Sequence, residues 1–548
     1  MKAKFPVSSF QCRRSKNACS GLTLIGIIAA IVVMGLLGAG MLMLVSTGSM
    51  ESIQSLNWGQ AFFAAESGVS AARAYMSTNA TWRTNSNLTT ITGAVGQASF
   101  VAVLDTNGVI KSVGSKDEAQ WTSMWHWRPF DGQFGGQHGW AILVYGTRTA
   151  PGTPKYRFWG GTNWSSPSDA VNVGTRNINW VVVKACPKRD EYIAATIDDR
   201  RVVKAQVYRG ESWGNLQTIA TNANAANRGV DIAYETLSGD AMVVASDSDA
   251  DPTYYVWNGS AWTGPGTINI SRTGIARWIK LASDPVSDEI VVMVQDANRN
   301  YTAQVWNGSN AWGNELLCTG RSVNVAYEAM DVEYETSGGQ GIIVNNSGIK
   351  NRGRFNWCAW NGTNWSAQST NNALGDYFRF GTLANDPHSD KLLFTYVDND
   401  SDIGKVFWNG SAWGPFTELE TSANSAVDRP VQGQFETISG HAGHALVVYS
   451  DTARGRSRHS VNPSDSSWDA EISVSTIQDS STVQARRTGD GKILALFFDD
   501  QSKPKRYDFS WHDGTNWSAK ETLETNPSVT ASPYKEPFMM APQLWVLP

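Results

Sequence analysis

The chain has 548 residues, a net charge of −5 and a pI near 5.9, and only 17% of its residues are charged. Its 24 Trp, 16 Tyr and 19 Phe exclude a disordered chain, and 50 Gly exclude a long-helix protein throughout. The acidic balance excludes general nucleic-acid binding through phosphate neutralisation.

Residues 1–21 carry Lys2, Lys4, Arg13, Arg14 and Lys16 and no acid. Leu22 to Ser46 is free of charge, and as a helix this run is about 37 Å long, enough for a hydrocarbon core of about 30 Å. Basic residues before the run predict a cytoplasmic N-terminus and an exported remainder. Helical periodicity continues to about Ser77 through Gln60-Ala-Phe-Phe-Ala-Ala-Glu-Ser-Gly-Val69. A secretory signal peptide and a plain anchor are the competing readings.

Two stretches, Ser20-Gly-Leu-Thr-Leu-Ile25 and Gln60–Val69, resemble type IV pilin-like proteins, the second being similar to the box of PilX-type minor pilins. The resemblance spans roughly residues 10–120. It implies cleavage after Gly21 and a methylated new N-terminus at Leu22. It also implies a helix over 22–77 that is half membrane span and half stalk, with other pilin-like subunits as partners. The expected location is the inner membrane with an extracytoplasmic C-terminus, then a pilus or the cell surface. Gly26 stands where the major pilins carry a Glu, so a minor, tip-located subunit fits better than a shaft component. Residues 78–121 follow as a small β region: Ala98–Leu104 and Val109–Gly114 flank Asn107-Gly108, a strong hairpin signal.

Residues 122–548 carry an internal repeat. Trp257-Asn-Gly-Ser-Ala-Trp262 returns at Trp306, Trp360 and Trp408, with looser copies at Trp159, Tyr208 and Trp511 and a degenerate one ending at Trp468. Each copy predicts a tight hairpin, and another strand pair precedes it, as in Val230–Glu235 and Ala241–Ala245. Four strands per roughly 50 residues is the mark of a β-propeller. The turns after the first strands alternate between Glu-Thr-(Leu/Ile)-Ser-Gly and Asp-Pro-x-Ser-Asp types, so blades come in pairs. An even ring of eight follows, with seven as the alternative. The tail from Tyr534 to Met540 reads as one more first strand.

Arg128, Arg228, Arg277, Arg379, Arg429 and Arg486 fall near the starts of first strands. They form either a ring that binds anions bidentately or a set of structural staples between blades. Second strands end in Asp, and two of these ends extend to Asp247-Ser-Asp249-Ala-Asp251 and Asp398-Asn-Asp400-Ser-Asp402. These oxygens are weak candidates for Ca²⁺ and read better as polar turns. No other cofactor is expected. Five Cys and seven His show no CxxC pair and no ligand motif, so no zinc site is expected. Whether Cys318 and Cys358 pair is left open. No acid–base pair stands apart from the repeat, which argues against an enzyme. The sequence thus predicts a minor pilin or pseudopilin that displays a propeller for adhesion, recognition or tip assembly, with a surface glycan or protein as ligand. The alternative is an anchored propeller that binds or hydrolyses carbohydrate.

Overall fold

The computed structural model describes residues 57, 60–65, 67–68, 71–72, 89–104, 109–117, 119–126, 141–348, 353–372, 375–424, 429–438, 440–460, 467–500, 502, 504–525, 527 and 535–543. The chain divides into two compact units, residues 1–131 and 132–548.

In the first unit an antiparallel meander runs through Thr89–Val95, Ala98–Leu104, Val109–Lys116 and Ala119–His126. The Asn107-Gly108 turn lies outside the described residues, but Leu104 and Ile110 pair on either side of it. The helical residues are 57, 60–65, 67–68 and 71–72. Ala61, Ala64, Ala65 and Ala72 are fully buried. A Cβ on Gly114 would lie 2.0 Å from the Ala61 carbonyl, so helix and sheet touch backbone to backbone there. The small residues that prolong the helical periodicity past residue 57 therefore serve sheet packing.

This corrects the expectation of a continuous membrane and stalk helix over 22–77. No helix among the described residues is long and apolar enough to cross a membrane. No described helix supports the inner-membrane location inferred from the expected one. Residues 22–56, which carried the apolar run, lie outside the described residues, as do Gly21 and the leader.

Among its described residues the second unit contains eight four-stranded antiparallel sheets. Blade 1 is assembled from both ends of the unit: Phe538–Pro542 is its innermost strand, followed by Ala141–Tyr145, Lys155–Trp159 and Ser168–Asp169. Blades 2 to 8 start with Ile178–Ala185, Val230–Tyr234, Ala276–Ser283, Met330–Tyr334, Phe378–Asn385, Val431–Phe435 and Thr482–Arg487. Each innermost strand packs on the next, and Thr482–Arg487 packs on Phe538–Pro542, which closes the ring. The C-terminal strand, not the segment around Arg128, is the first strand of blade 1. Arg128 lies outside the described residues.

Local chemistry sets each hairpin. In the Trp-Asn-Gly repeats Gly259, Gly308, Gly362 and Gly410 have φ between +73° and +91°, a region open to Gly at little cost. The preceding Asn258, Asn307, Asn361 and Asn409 accept hydrogen bonds from turn amides through Oδ1. The flanking Trp rings face each other across the strands at 5.3 to 5.7 Å.

The first Trp of each motif also joins neighbouring blades. Its Nε1–H donates to a carboxylate of the preceding blade: Trp257 to Glu191 at 3.0 Å, Trp306 to Glu235 at 2.7 Å, Trp360 to Glu289 at 3.0 Å and Trp408 to Glu335 at 2.6 Å. Nearer the axis a second device recurs. Asp231, Asp331 and Gln432 on odd blades accept the amides of Leu281, Leu383 and Ala485 on the following blades. At the fourth junction the Val183 amide faces Met539 Sδ at 3.4 Å. The pairing of blades seen in the turns thus extends to the axis as a pseudo-fourfold pattern.

Candidate functional site

The innermost strands of the odd blades begin at equivalent points: Glu536 before Phe538, Arg228 before Val230, Glu328 before Met330 and Arg429 before Val431. Around the axis their charges alternate. Arg228 Nη2 lies 2.6 Å from Glu328 Oε1, and Arg429 Nε 2.7 Å from Glu328 Oε2. Glu536 Oε2 lies 3.3 Å from Arg429 Nη1 and 4.0 Å from Arg228 Nη1. Lys280 adds contacts to Glu328 at 3.3 Å and Asp331 at 3.2 Å. All four tetrad residues are buried. The Arg429 guanidinium also sits over Trp180 and Trp278, each at 5.1 Å, and Phe380 at 5.6 Å. Burial pushes the Glu328 carboxyl up, but Arg228, Arg429 and Lys280 outweigh it and hold the group well below the usual range.

The anticipated ring of arginines is therefore a mixed Arg/Glu tetrad, in which Arg228 and Arg429 are staples. Arg277 and Arg379 sit on even blades, next to irregularities in the pairing of their strands, and lie outside the tetrad. Arg379 bonds the side chain and carbonyl of Asn399 and stacks over Tyr327. Burial and the nearby Arg201 lower the pKa of Arg277. Arg486 is out of register: strand pairing matches Ser481 with Arg277 and Arg379, and places Arg486 five residues further along its strand. Two adjacent arginines in that strand, Arg486 and Arg487, masked the offset. Glu536 was missed, although Glu536-Pro-Phe matches Arg429-Pro-Val.

Beyond the tetrad the channel opens into a cavity of about 420 Å³. Its wall includes Lys184, Arg486, Arg487, Asp331, Glu333 and Gln434. Burial pushes the Glu333 carboxyl up to about 7, with help from the Asp331 charge and against Lys184 and Arg487. Burial lowers Arg487 to about 10, against Asp386 and Glu333. Arg486 is lowered by burial and donates to the Ala485 carbonyl. Among the described residues neither Lys184 nor Arg486 has a carboxylate within ion-pair distance.

The calcium candidates do not converge as ligands. Asp398 Oδ1 accepts the amides of Asp400 and Asp402, closing its own turn. Burial, with the neighbouring Asp402 and Asp400 charges, raises its pKa to about 6. The second-strand ends at Asp198, Asp296, Asp451 and Asp499 are built the same way. Asp247 accepts from Ser248, Asp251 accepts from Ile270, and Asp249 is exposed. Cys318 and Cys358 are separate buried thiols, and burial raises both, Cys358 to about 12.

No family model matches the chain, and no curated protein matches it. Similar solved structures include the BP39L lectin from Burkholderia pseudomallei, at 12% identity and a TM-score of 0.47. That match covers 64% of this chain and all of the lectin. The six-bladed propeller lectin of Aleuria aurantia, described with a fucose recognition mode, matches at 12% identity and a TM-score of 0.31, covering 62% and 96%. The NanB sialidase of Streptococcus pneumoniae matches at 9% identity and a TM-score of 0.34, covering 75% and 89%.

Proposed function

We propose that the propeller is a carbohydrate-binding module that takes an acidic saccharide in the axial cavity. One observation carries the reading: the cavity wall presents Lys184 and Arg486 without ion-pair partners among the described residues, beside the amide of Gln434 and the carboxyl of Glu333. Most small-molecule pockets are lined mainly by apolar groups. A wall of cations, amides and carboxyls suits a ligand rich in hydroxyls, each of which donates and accepts, and an anionic substituent would meet the two cations. The Trp residues of the repeat are not offered as a sugar platform, because Glu191, Glu235, Glu289 and Glu335 engage four of them between blades.

The test is a glycan array followed by calorimetry on the hits, with Lys184→Ala and Arg486→Gln alongside the parent chain. Binding of uronate, sialylated or sulfated glycans that falls at least tenfold in both variants supports the reading. Binding only to neutral glycans, or undiminished binding in both variants, overturns the site, and absence of any glycan binding overturns the function. Hydrolysis is the second reading, favoured by Glu333, whose carboxyl titrates near neutrality beside Asp331. Cleavage of a bound glycan that disappears in Glu333→Gln would establish it.

A further inference from the structure

The junction between blades 7 and 8 breaks the repeat in a way that assembles metal ligands. In blades 3 and 5 the first strand is followed at once by Glu235 or Glu335, which accepts from a Trp of the next blade. Glu436 holds that place in blade 7, but strand register puts His512 where blade 6 has Trp408. His459 stands where blade 6 has Phe407. The turn after Glu436 is longer too. Nine positions separate Glu436 from Ala445, against six between Glu335 and Gly341, and the extra length holds His441 and His444. Four of the chain's seven histidines thus gather at one junction.

Their geometry is poor for hydrogen bonds. His512 Nδ1 lies 3.3 Å from Glu436 Oε1, and His459 Nε2 lies 3.4 Å from Glu436 Oε2. Charge-assisted bonds between such groups run nearer 2.7–2.9 Å. The Gly514 amide also lies 3.1 Å from His512 Nδ1, and a metal held by that nitrogen takes the place of this bond. Imidazole and carboxylate so placed are joined by a cation, a proton on the ring or a metal between them. Glu436 and His512 are fully buried, yet both Glu436 oxygens, His459 Nε2 and His512 Nε2 have no well-formed hydrogen bond among the described residues. One ligand atom each from Glu436, His459 and His512 lie within 4.8 Å of one another. Zinc bonds of about 2.0–2.2 Å in a tetrahedron set ligand atoms roughly 3.3–3.6 Å apart, close to the two distances from His512 and His459 to Glu436. His441 Nδ1 lies 3.8 Å from Glu436 Oε2, and its side chain is 39% exposed, within reach of a fourth position. His444 is used otherwise: its Nδ1 bonds the Ser460 carbonyl and ties down the turn.

The geometry points to a divalent metal site at Glu436, His459 and His512, with His441 as fourth ligand, that staples blade 7 to blade 8 in place of the Glu–Trp bond. Two or three imidazoles and one carboxylate select a borderline cation of the zinc class over Ca²⁺ or Mg²⁺. The sequence hid the site because its ligands come from three separate segments.

The test is zinc uptake by the full chain after chelator treatment, by equilibrium dialysis with elemental analysis. The double variant His459→Phe/His512→Trp is the key comparison, since it restores the residues of blade 6 and the Glu–Trp bond and so retains the fold. The parent should take up one zinc more than the variant, with affinity at least about 100-fold higher, since even outer-shell changes cost 10–100-fold. Zinc should raise the melting temperature of the parent and not of the variant. Co²⁺ in the parent should show the intense visible bands of four-coordination. Equal zinc uptake by parent and folded variant, or no uptake by the parent, overturns the site. Calcium uptake at this junction in place of zinc overturns the assigned class.

Discussion

Replacing Glu328 by Gln removes the one carboxylate that holds Arg228 at 2.6 Å, Arg429 at 2.7 Å and Lys280 at 3.3 Å. Three cations then face each other in a site where Glu328 and Arg228 are almost wholly buried. Loss of one partner of a buried ion pair costs about 3–5 kcal/mol, because the remaining charge stays desolvated. Lys280 retains Asp331 at 3.2 Å and Arg429 retains Glu536 at 3.3 Å, which keeps the effect inside that range. Unfolding entropy near 2.1 cal/mol/K per residue gives roughly 0.9 kcal/mol/K for residues 132–548, so Tm should fall by about 3–6 °C. The assay is differential scanning calorimetry of parent, Glu328→Gln, Arg228→Met and Glu328→Gln/Arg228→Met. The double variant should recover part of the loss, since removing an unmatched cation relieves the penalty. The Glu328 carboxyl is held below its ordinary value, so its contribution is present above the unfolded carboxyl pKa of about 4.5 and falls away in more acid solution. A Glu328→Gln variant with unchanged Tm near neutral pH, or a double variant worse than the sum of its singles, would refute the tetrad as a closed ionic unit.

Three further outcomes are expected. Trp408→Phe leaves the buried Glu335 without its 2.6 Å donor and should destabilise the chain by about 1.5–3 kcal/mol in urea unfolding, with no change in β content by circular dichroism. Glu333 is raised to about 7 in the fold, so the folded state binds the extra proton between its unfolded pKa and that value. Stability should therefore fall as pH rises from about 4.5 to 7, and Glu333→Gln should flatten that part of the profile. For the prepilin-type resemblance, mass spectrometry of the N-terminal peptide should show a start at Leu22, and a chain retaining residues 1–21 would remove that reading.

The hairpins and their spacing were legible because their causes are local. Asn accepts turn amides, Gly takes positive φ, and Trp faces Trp across adjacent strands within a few residues of chain. The alternation of turn types was legible for the same reason, and it marked the pairing of blades that reappears at the axis in Asp231, Asp331 and Gln432. Helical periodicity near residues 60–72 was visible too, but its partner was not: Ala61 and Ala65 pack on Gly114, a contact across residues distant in sequence.

What tertiary structure alone decided is which charges meet. The backbone at the start of a first strand accepts Arg or Glu equally well, so nothing local distinguishes Arg228 from Glu328. Only closure of the ring by Phe538–Pro542 brings Glu536 beside Arg429 and turns a series of arginines into an alternating tetrad. Glu436, His459 and His512 are likewise ordinary residues in three separate strands or turns until blades 7 and 8 pack together. Coulomb energy depends on distance through space and on burial, and neither is written in the spacing of residues along a chain.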